Sequence, residues 1–171
     1  MSHLPPNMLR DGAVMRDETR LFDEAQEQLC AALYPPDEPG WAVTLSTWVS
    51  SRSELRARRH WAGVQLMPND DIEKLVQGTA ARHIDPEGIA FIAIDFPAYT
   101  DGRGFSLAHL LRADYAWKGE LRAVGDVLID TVHYLARCGF NSFVLKAGHD
   151  PFKAAQALST FSAKYERSTL R

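Results

Sequence analysis

The residues of this chain that are best suited to bind a ligand lie in the stretch "YTDGRGFS", between an apolar run and a helical pattern. Its two glycines permit backbone conformations and close approaches that a Cβ atom would obstruct. The start of a helix adds free amides, and the planar guanidinium of Arg103 suits phosphate, sulfate or carboxylate. One interpretation is therefore an anion-binding loop, formed by Tyr99, Thr100, Asp101, Gly102, Arg103 and Gly104.

The same loop also has an ordinary structural interpretation. Asp101 can cap the following helix, Arg103 can pair with Asp95 or Asp126, and the glycines then only turn the chain. A short glycine-rich loop is a weak motif when it stands alone. The sequence leaves both interpretations open.

Charged residues also follow or interrupt the neighbouring predicted strands. In parallel α/β folds, ligands bind beyond the carboxyl ends of the strands. Asp95 ends one predicted strand and Asp126 follows the next, so we expect both to face one crevice. Arg122 lies inside "ELRAVGD", where a buried parallel strand is expected to be apolar. It is predicted to hold a second charge of the ligand, to pair with Glu120 or Asp95, or to lie in water on an edge strand.

Catalytic groups are not evident in the sequence, and no catalytic residue is assigned. Asp130 and His133 are spaced to interact on a helix but have no nucleophile beside them, and Ser106 lacks a G-x-S-x-G elbow. Cys138 is expected to be a small apolar residue. Phosphate-loop, dinucleotide and H-E-x-x-H motifs are missing, and two cysteines cannot supply the four thiolates of an iron–sulfur cluster. We therefore expect no cofactor and no metal.

The composition indicates one α/β domain over residues 1–171, with an N-terminal hairpin and helix over 1–40 and a βα core over 41–171. A hydrophobic fraction of 46% and a charged fraction of 24% are typical of globular proteins. The net charge of −3 argues against a general nucleic-acid partner. The absence of a long apolar segment or an export signal predicts a cytoplasmic protein with no membrane partner.

The N-terminal forty residues predict a hairpin and one helix. "MLRDGAVM" indicates two short strands around an Asp11-Gly12 turn, because Asp-Gly favours the positive φ angles of a tight hairpin. Apolar residues at helical spacing then predict a helix over "LFDEAQEQLCAAL". Its expected apolar face contains Leu21, Phe22, Ala25, Leu29 and Leu33.

The remaining chain predicts five strand-then-helix units and a mostly parallel sheet. One predicted helix, "PNDDIEKLVQGTAARH", has Ile72, Leu75, Val76 and Ala80 on one face. A complete eightfold barrel needs about 250 residues, so the sheet is expected to be an open three-layer sheet or a partial barrel. The continuous apolar run "GIAFIAIDF" favours a strand covered on both faces. The five predicted strands are "WAVTLSTW", "GVQLM", "GIAFIAIDF", "LRAVGD" and "NSFVLK".

Long segments of the chain resemble a bacterial family of unknown function that is often labelled as a probable oxidoreductase involved in sulfite reduction. The resemblance is carried by "FIAIDFPAYTDGRGFSLAHLLR", "KGELRAVGDVLIDTVHYLARCGFNSFVL" and "DPFKAAQALSTFSAKYE". Relatives read closer to "VLRDQLFYL" where this chain has "VLIDTVHYL", which alters the positions of Ile129, Thr131 and His133.

The resemblance implies a role in sulfur assimilation, because family members tend to be encoded beside the haemoprotein of assimilatory sulfite reductase. This chain has no flavin or nicotinamide fingerprint, so the resemblance implies that reductase chemistry lies in another subunit. The expected function is that of an accessory protein that supports or binds the sulfite reductase. The alternative is a small enzyme or sensor that binds an anionic sulfur metabolite at the carboxyl ends of the strands.

Overall fold

The computed structural model describes residues 5–76 and 82–168, with side chains described through residue 160. Its central element is one eight-stranded sheet that curls into a half-barrel. The strands are β1 (Met8–Arg10), β2 (Ala13–Met15), β3 (Arg20–Phe22), β4 (Trp41–Thr44), β5 (Ala62–Leu66), β6 (Ile89–Phe96), β7 (Leu121–Gly125) and β8 (Ser142–Val144).

The sheet is mostly parallel, with spatial order β2-β1-β8-β7-β6-β5-β4-β3. Strands β3 to β8 are parallel and adjacent in chain order. Strand β1 pairs antiparallel with both β2 and β8. The carboxyl ends of six strands therefore meet at one edge of the sheet.

Helical segments follow each of the six parallel strands. Short 3-10 turns at Ile72–Leu75 and Ile129–Thr131 come after β5 and β7. Within the described part of the chain, no helix is long and apolar enough to cross a membrane. The α-helices are α1 (Glu24–Cys30), α2 (Leu45–Ser50), α3 (Arg52–Arg56), α4 (Arg103–Ala113), α5 (Val132–Arg137) and α6 (Pro151–Ser168).

The helices pack on one face of the sheet. Along β6, Ile92, Ile94 and Phe96 belong to the large core cluster, which also contains every buried apolar residue of the helices. The alternate residues Phe91 and Ala93 form a small separate cluster that consists of strand residues. Because side chains alternate along a strand, Phe91 and Ala93 point to the second face, here called the open face. None of the helical residues that the structure describes belongs to the cluster on this face. The partial barrel is therefore the predicted alternative that is observed. Strand β6 is largely buried on both faces, as expected, although the helical residues of the core lie on one of them.

A four-residue segment, residues 16–19, crosses the open face from β2 at one edge to β3 at the other, and we call it the strap. Arg122 of β7 anchors the strap, with Nη1 donating to Asp17 Oδ1 at 3.2 Å and to Thr19 Oγ1 at 2.6 Å. Arg122 also lies over the Phe91 ring, so the residue that holds the strap covers part of the open face.

The N-terminal hairpin is confirmed in part. Strands β1 and β2 pair around the turn as predicted, and both turn residues have positive φ, 48° at Asp11 and 82° at Gly12. The hairpin is not a separate unit, however, because β1 continues the main sheet through its pairing with β8.

The predicted helix from Leu21 was wrong over its first residues and its apolar face. Arg20–Phe22 is a strand that pairs with β4, so the chain has a sixth strand-helix unit. Asp23 then starts α1 by accepting a hydrogen bond from Gln26 N at 3.0 Å. Leu29 and Leu33 are 79% and 76% exposed, because α1 buries none of its residues in the core.

Two further predicted elements end earlier than expected. The strand in "WAVTLSTW" stops at Thr44, whose hydroxyl accepts from Thr47 N and starts α2. The helix in "PNDDIEKLVQGTAARH" is a single 3-10 turn, with Ile72 and Leu75 buried as predicted and Val76 N donating to Glu73 O. Residues 77–81, including Ala80, lie outside the described residues.

Candidate functional site at the carboxyl ends of the strands

Arg103 lies at the start of α4, where its guanidinium faces back onto the loop that follows β6. Nε donates to Asp101 Oδ1 at 2.9 Å and Nη2 to Asp101 Oδ2 at 2.6 Å. Nη1 donates to Asn69 Oδ1, in the loop after β5. The pKa of Asp101 is lowered by the hydrogen bonds from Arg103. The fork that was predicted to bind an anion therefore already holds a carboxylate of the chain itself.

The two glycines of this loop differ in what they require. A Cβ atom on Gly104 would lie 2.5 Å from the Phe96 ring, so glycine is needed there for α4 to pack on β6. A Cβ atom on Gly102 would meet no atom within 4 Å, and its φ is −68°. Neither glycine has the positive φ that favours glycine over other residues.

Asp126 joins the loops after three neighbouring strands. Its Oδ2 accepts from Tyr99 N at 3.0 Å and its Oδ1 from Lys146 Nζ at 2.6 Å. Its own amide donates to Phe96 O at 2.8 Å. The hydrogen bond from Lys146 is the main reason that the pKa of Asp126 lies below its usual value. Sequence reasoning missed Lys146, although it follows the last strand and so satisfies the rule that selected Asp126.

Asp95 lies at the same edge but on the open face of the sheet. Its carboxylate is half-buried and has no hydrogen-bond partner among the residues that the structure describes. Burial raises the pKa of Asp95. The carboxylate lies against the turn before Asp126, since a Cβ atom on Gly125 would lie 2.9 Å from Asp95 Oδ1.

Arg122 does not contact the other predicted site residues. Besides the strap, its Nε and Nη2 donate to Glu120 Oε1 at 2.9 and 2.8 Å, and its guanidinium carbon lies 3.7 Å from the centre of the Phe91 ring. Only 5% of the residue is exposed. Arg122 therefore forms an ion pair within the protein, which was the predicted alternative to ligand binding. Glu120 is the partner that the sequence predicted, and Asp17 is a partner that it did not indicate.

Three exposed apolar side chains lie at the same edge of the sheet, on the segments that follow β4, β5 and β6. Val49 of α2 and Met67, directly after β5, line one cleft with a volume of about 500 Å³. The Asn69–Arg103 hydrogen bond ties the loop after Met67 to the loop that carries Tyr99. Val49, Met67 and Tyr99 are 43%, 46% and 52% exposed. We call the set of Val49, Met67, Tyr99 and Arg103 the edge surface; the sequence pattern had not singled out its first two members.

Of the other residues considered from the sequence, Thr100 and Cys138 take no part in the contacts described above. Thr100 is exposed in the loop before Asp101. Cys138 is half-buried after α5, and burial raises the pKa of its thiol, which disfavours the reactive thiolate. Within residues 5–76 and 82–168, no three His, Cys, Asp or Glu side chains lie close enough together to hold a metal ion.

A family model described as "Bacterial protein of unknown function (DUF934)" matches residues 63–171, which is more than half of the chain. The chain belongs to this family. Comparisons with curated proteins and with solved structures give no match. The DUF934 range runs from β5 to the C-terminus, so it contains the loops of Met67, Tyr99, Arg103 and Asp126, whereas Val49 precedes it.

Proposed function

We propose that this DUF934 protein is an accessory protein of assimilatory sulfite reduction that binds the sulfite reductase haemoprotein. The identity of the partner rests on the resemblance of the three long segments to a family encoded beside that haemoprotein. The mode of action rests on one observation, the edge surface, where exposed apolar side chains lie on the same edge as the ion pair of Arg103 and Asp101.

The composition of the edge surface suits a protein partner. Aromatic residues, methionine and arginine are enriched in the central part of protein interfaces, and Tyr, Trp and Arg dominate their binding energy. A single exposed apolar residue is ordinary. Here Val49 and Met67 line one cleft. The hydrogen bond from Arg103 to Asn69 ties the loop that carries Tyr99 to the loop after Met67.

The paired charges at the edge also favour docking over capture of a small anion. A free anion at Arg103 would have to displace the Asp101 carboxylate, which accepts two hydrogen bonds from the guanidinium. Asp126, with Tyr99 and Lys146 as its partners, fixes the loops after β6, β7 and β8 relative to one another. A surface that is held in one shape loses less entropy on binding a partner.

Calorimetric titration of the purified chain into the haemoprotein tests the proposal. Tyr99→Ala and Met67→Ala are each expected to weaken binding about tenfold, which corresponds to about 1.4 kcal/mol and exceeds the loss of about 1 kcal/mol that most interface residues do not reach. Tyr134→Ala is the matched control, because Tyr134 is 56% exposed but lies on α5, outside the edge surface.

Two results would overturn the proposal. One is the absence of saturable binding to the haemoprotein. The other is an equal loss of affinity with Tyr134→Ala and Tyr99→Ala, because the contact would then not be specific to the edge surface.

A further inference from the structure

A second cleft, with a volume of about 350 Å³, lies between the strap and the loop after β8. One wall comes from Arg16 and Asp17 and from the segment before β1, and the other comes from residues 145–149. It contains none of the residues that the sequence assigned to ligand binding. Its volume lies within the usual range for small-molecule sites, about 300–1,000 Å³.

Three side chains that can donate hydrogen bonds to an anion line this cleft. Arg16 is exposed and has no partner among the described residues. Lys146 uses one of its three donors on Asp126 Oδ1, which leaves two. His149 is half-buried and contributes at least one ring N–H in either tautomer.

The carboxylates at and beside the cleft already have cationic partners. Among its described lining residues, Asp17 is the one carboxylate, and its Oδ1 accepts from Arg122 Nη1 at 3.2 Å. Asp126, which does not line the cleft, is paired with Lys146. Among the described residues, Arg16 pairs with neither of these carboxylates, so its donors are available to an anion in the cleft.

The backbone of the same loop adds unused donors. Residues 146–149 form a turn closed by His149 N donating to Lys146 O at 3.1 Å, with Gly148 at φ +89°. The amides of Ala147 and Gly148 donate to no acceptor within the described residues. Both residues line the cleft, and glycine does so with its backbone alone.

We propose that this cleft is a binding site for a small oxyanion of the phosphate or sulfate class, held by Arg16, Lys146 and His149. The site is distinct from the edge surface, and it does not depend on the docking function. Pro5, Pro6 and the buried Leu145 supply an apolar wall, which suits an oxyanion carried on a small organic molecule as well as a free one.

The test is an NMR titration of the full chain with inorganic phosphate and with inorganic sulfate, following the backbone amides. Saturable shifts are expected at residues 16–17 and 146–149. Arg16→Ala and His149→Ala are each expected to weaken binding about tenfold or more, because each removes a hydrogen bond to a charged ligand. Thermal unfolding without anion verifies that both variants fold.

Arg59→Ala is the matched control, because Arg59 is exposed and is not among the residues that line the cleft. It removes the same charge, and its affinity for phosphate is expected to equal that of the wild type. An equal loss with Arg59→Ala, or no saturable shift for either anion, would overturn the proposal. A loss confined to Arg103→Ala would also overturn it and would place the anion at the loop before α4.

A third ligand identifies the source of the oxyanion. Phenyl phosphate carries a comparable charged group on an apolar ring. Tighter binding of phenyl phosphate than of inorganic phosphate supports an organic carrier against Pro5, Pro6 and Leu145. If phenyl phosphate binds equally to or more weakly than inorganic phosphate, the apolar wall does not contribute to ligand binding.

Discussion

At the scale of single residues, Arg122 shows how far the sequence specifies a contact. A charge inside an apolar strand must have a partner, and Glu120, two positions away, was predicted as one. Asp17 and Thr19 are 105 and 103 residues away in the chain, and no local pattern indicates them. Their role follows from the strap, which itself exists because β2 and β3 lie at opposite edges of the sheet.

Replacing Arg122 is expected to destabilise the fold strongly. Arg122→Met keeps an unbranched apolar side chain beside Phe91 but leaves Asp17 without its cation and Glu120 with Arg10 alone, and removing one partner of a buried ion pair costs about 3–5 kcal/mol. Urea unfolding measures the loss. The exposed control Arg59→Ala is expected to change the free energy of unfolding by less than about 0.5 kcal/mol. A loss below about 1 kcal/mol in Arg122→Met would show that the network does not anchor the strap.

Asp95 gives a prediction on pH. Burial raises the pKa of its unpartnered carboxyl in the folded chain above the unfolded value of about 3.9, so ionisation disfavours the fold at neutral pH. Asp95→Asn is therefore expected to be more stable than the wild type at about pH 7. The difference should shrink as the pH falls through the raised pKa and vanish below about 3.9. Chemical unfolding of both proteins across this range measures it, and a gain that stays constant down to about pH 3 would refute the assignment to ionisation.

At the scale of elements, the sequence predicted the strands and helices that have long, continuous patterns and missed a short strand. The apolar run of β6 and the helix α4 after it lie where the sequence placed them. Strand β3 has three residues and gains its conformation from pairing with β4, about twenty positions later, so local spacing suggested a helix instead. The apolar positions Leu29 and Leu33 continued that spacing without any surface to pack against.

Two leucines on helices test this distinction. Leu29→Ala on α1 is expected to change the free energy of unfolding by less than about 0.5 kcal/mol, because the side chain is 79% exposed. Leu135→Ala on α5 is the matched change at a residue that is 2% exposed, and it is expected to cost about 2–5 kcal/mol. Urea unfolding compares the two, and similar losses would mean that α1 packs on the core.

Two glycines test where the absence of a side chain matters. A Cβ atom on Gly63 of β5 would lie 2.3 Å from the Phe91 ring on the open face, so Gly63→Ala is expected to cost about 1–3 kcal/mol by overpacking. Gly102→Ala meets no atom within 4 Å and has a helical φ, so it is expected to leave stability unchanged or raise it by up to about 1 kcal/mol. Thermal unfolding gives both values. A large loss of stability in Gly102→Ala would show that the start of α4 lacks this open space and helical φ.

At the scale of the whole molecule, the sheet topology determines which loops meet. The sequence placed Asp101, Arg103 and Asp126 beyond the carboxyl ends of parallel strands, and the structure has all three in loops at that edge. The sequence did not reveal that the Asp101 carboxylate accepts the hydrogen bonds of the Arg103 guanidinium. That contact depends on the path of the six-residue loop between β6 and α4. Nor could the sequence reveal the edge surface, because Val49 and Met67 become neighbours only when β4 and β5 pair.

The most direct test of the docking function is the mass of the haemoprotein after it is mixed with an excess of this chain and separated by size, with light scattering as the readout. We predict a single complex whose mass exceeds that of the haemoprotein alone by 19.1 kDa for each chain bound. Tyr99→Ala is expected to reduce the bound fraction, and Tyr134→Ala is expected to preserve it. An unchanged haemoprotein mass at micromolar concentrations of both proteins would contradict the proposed function.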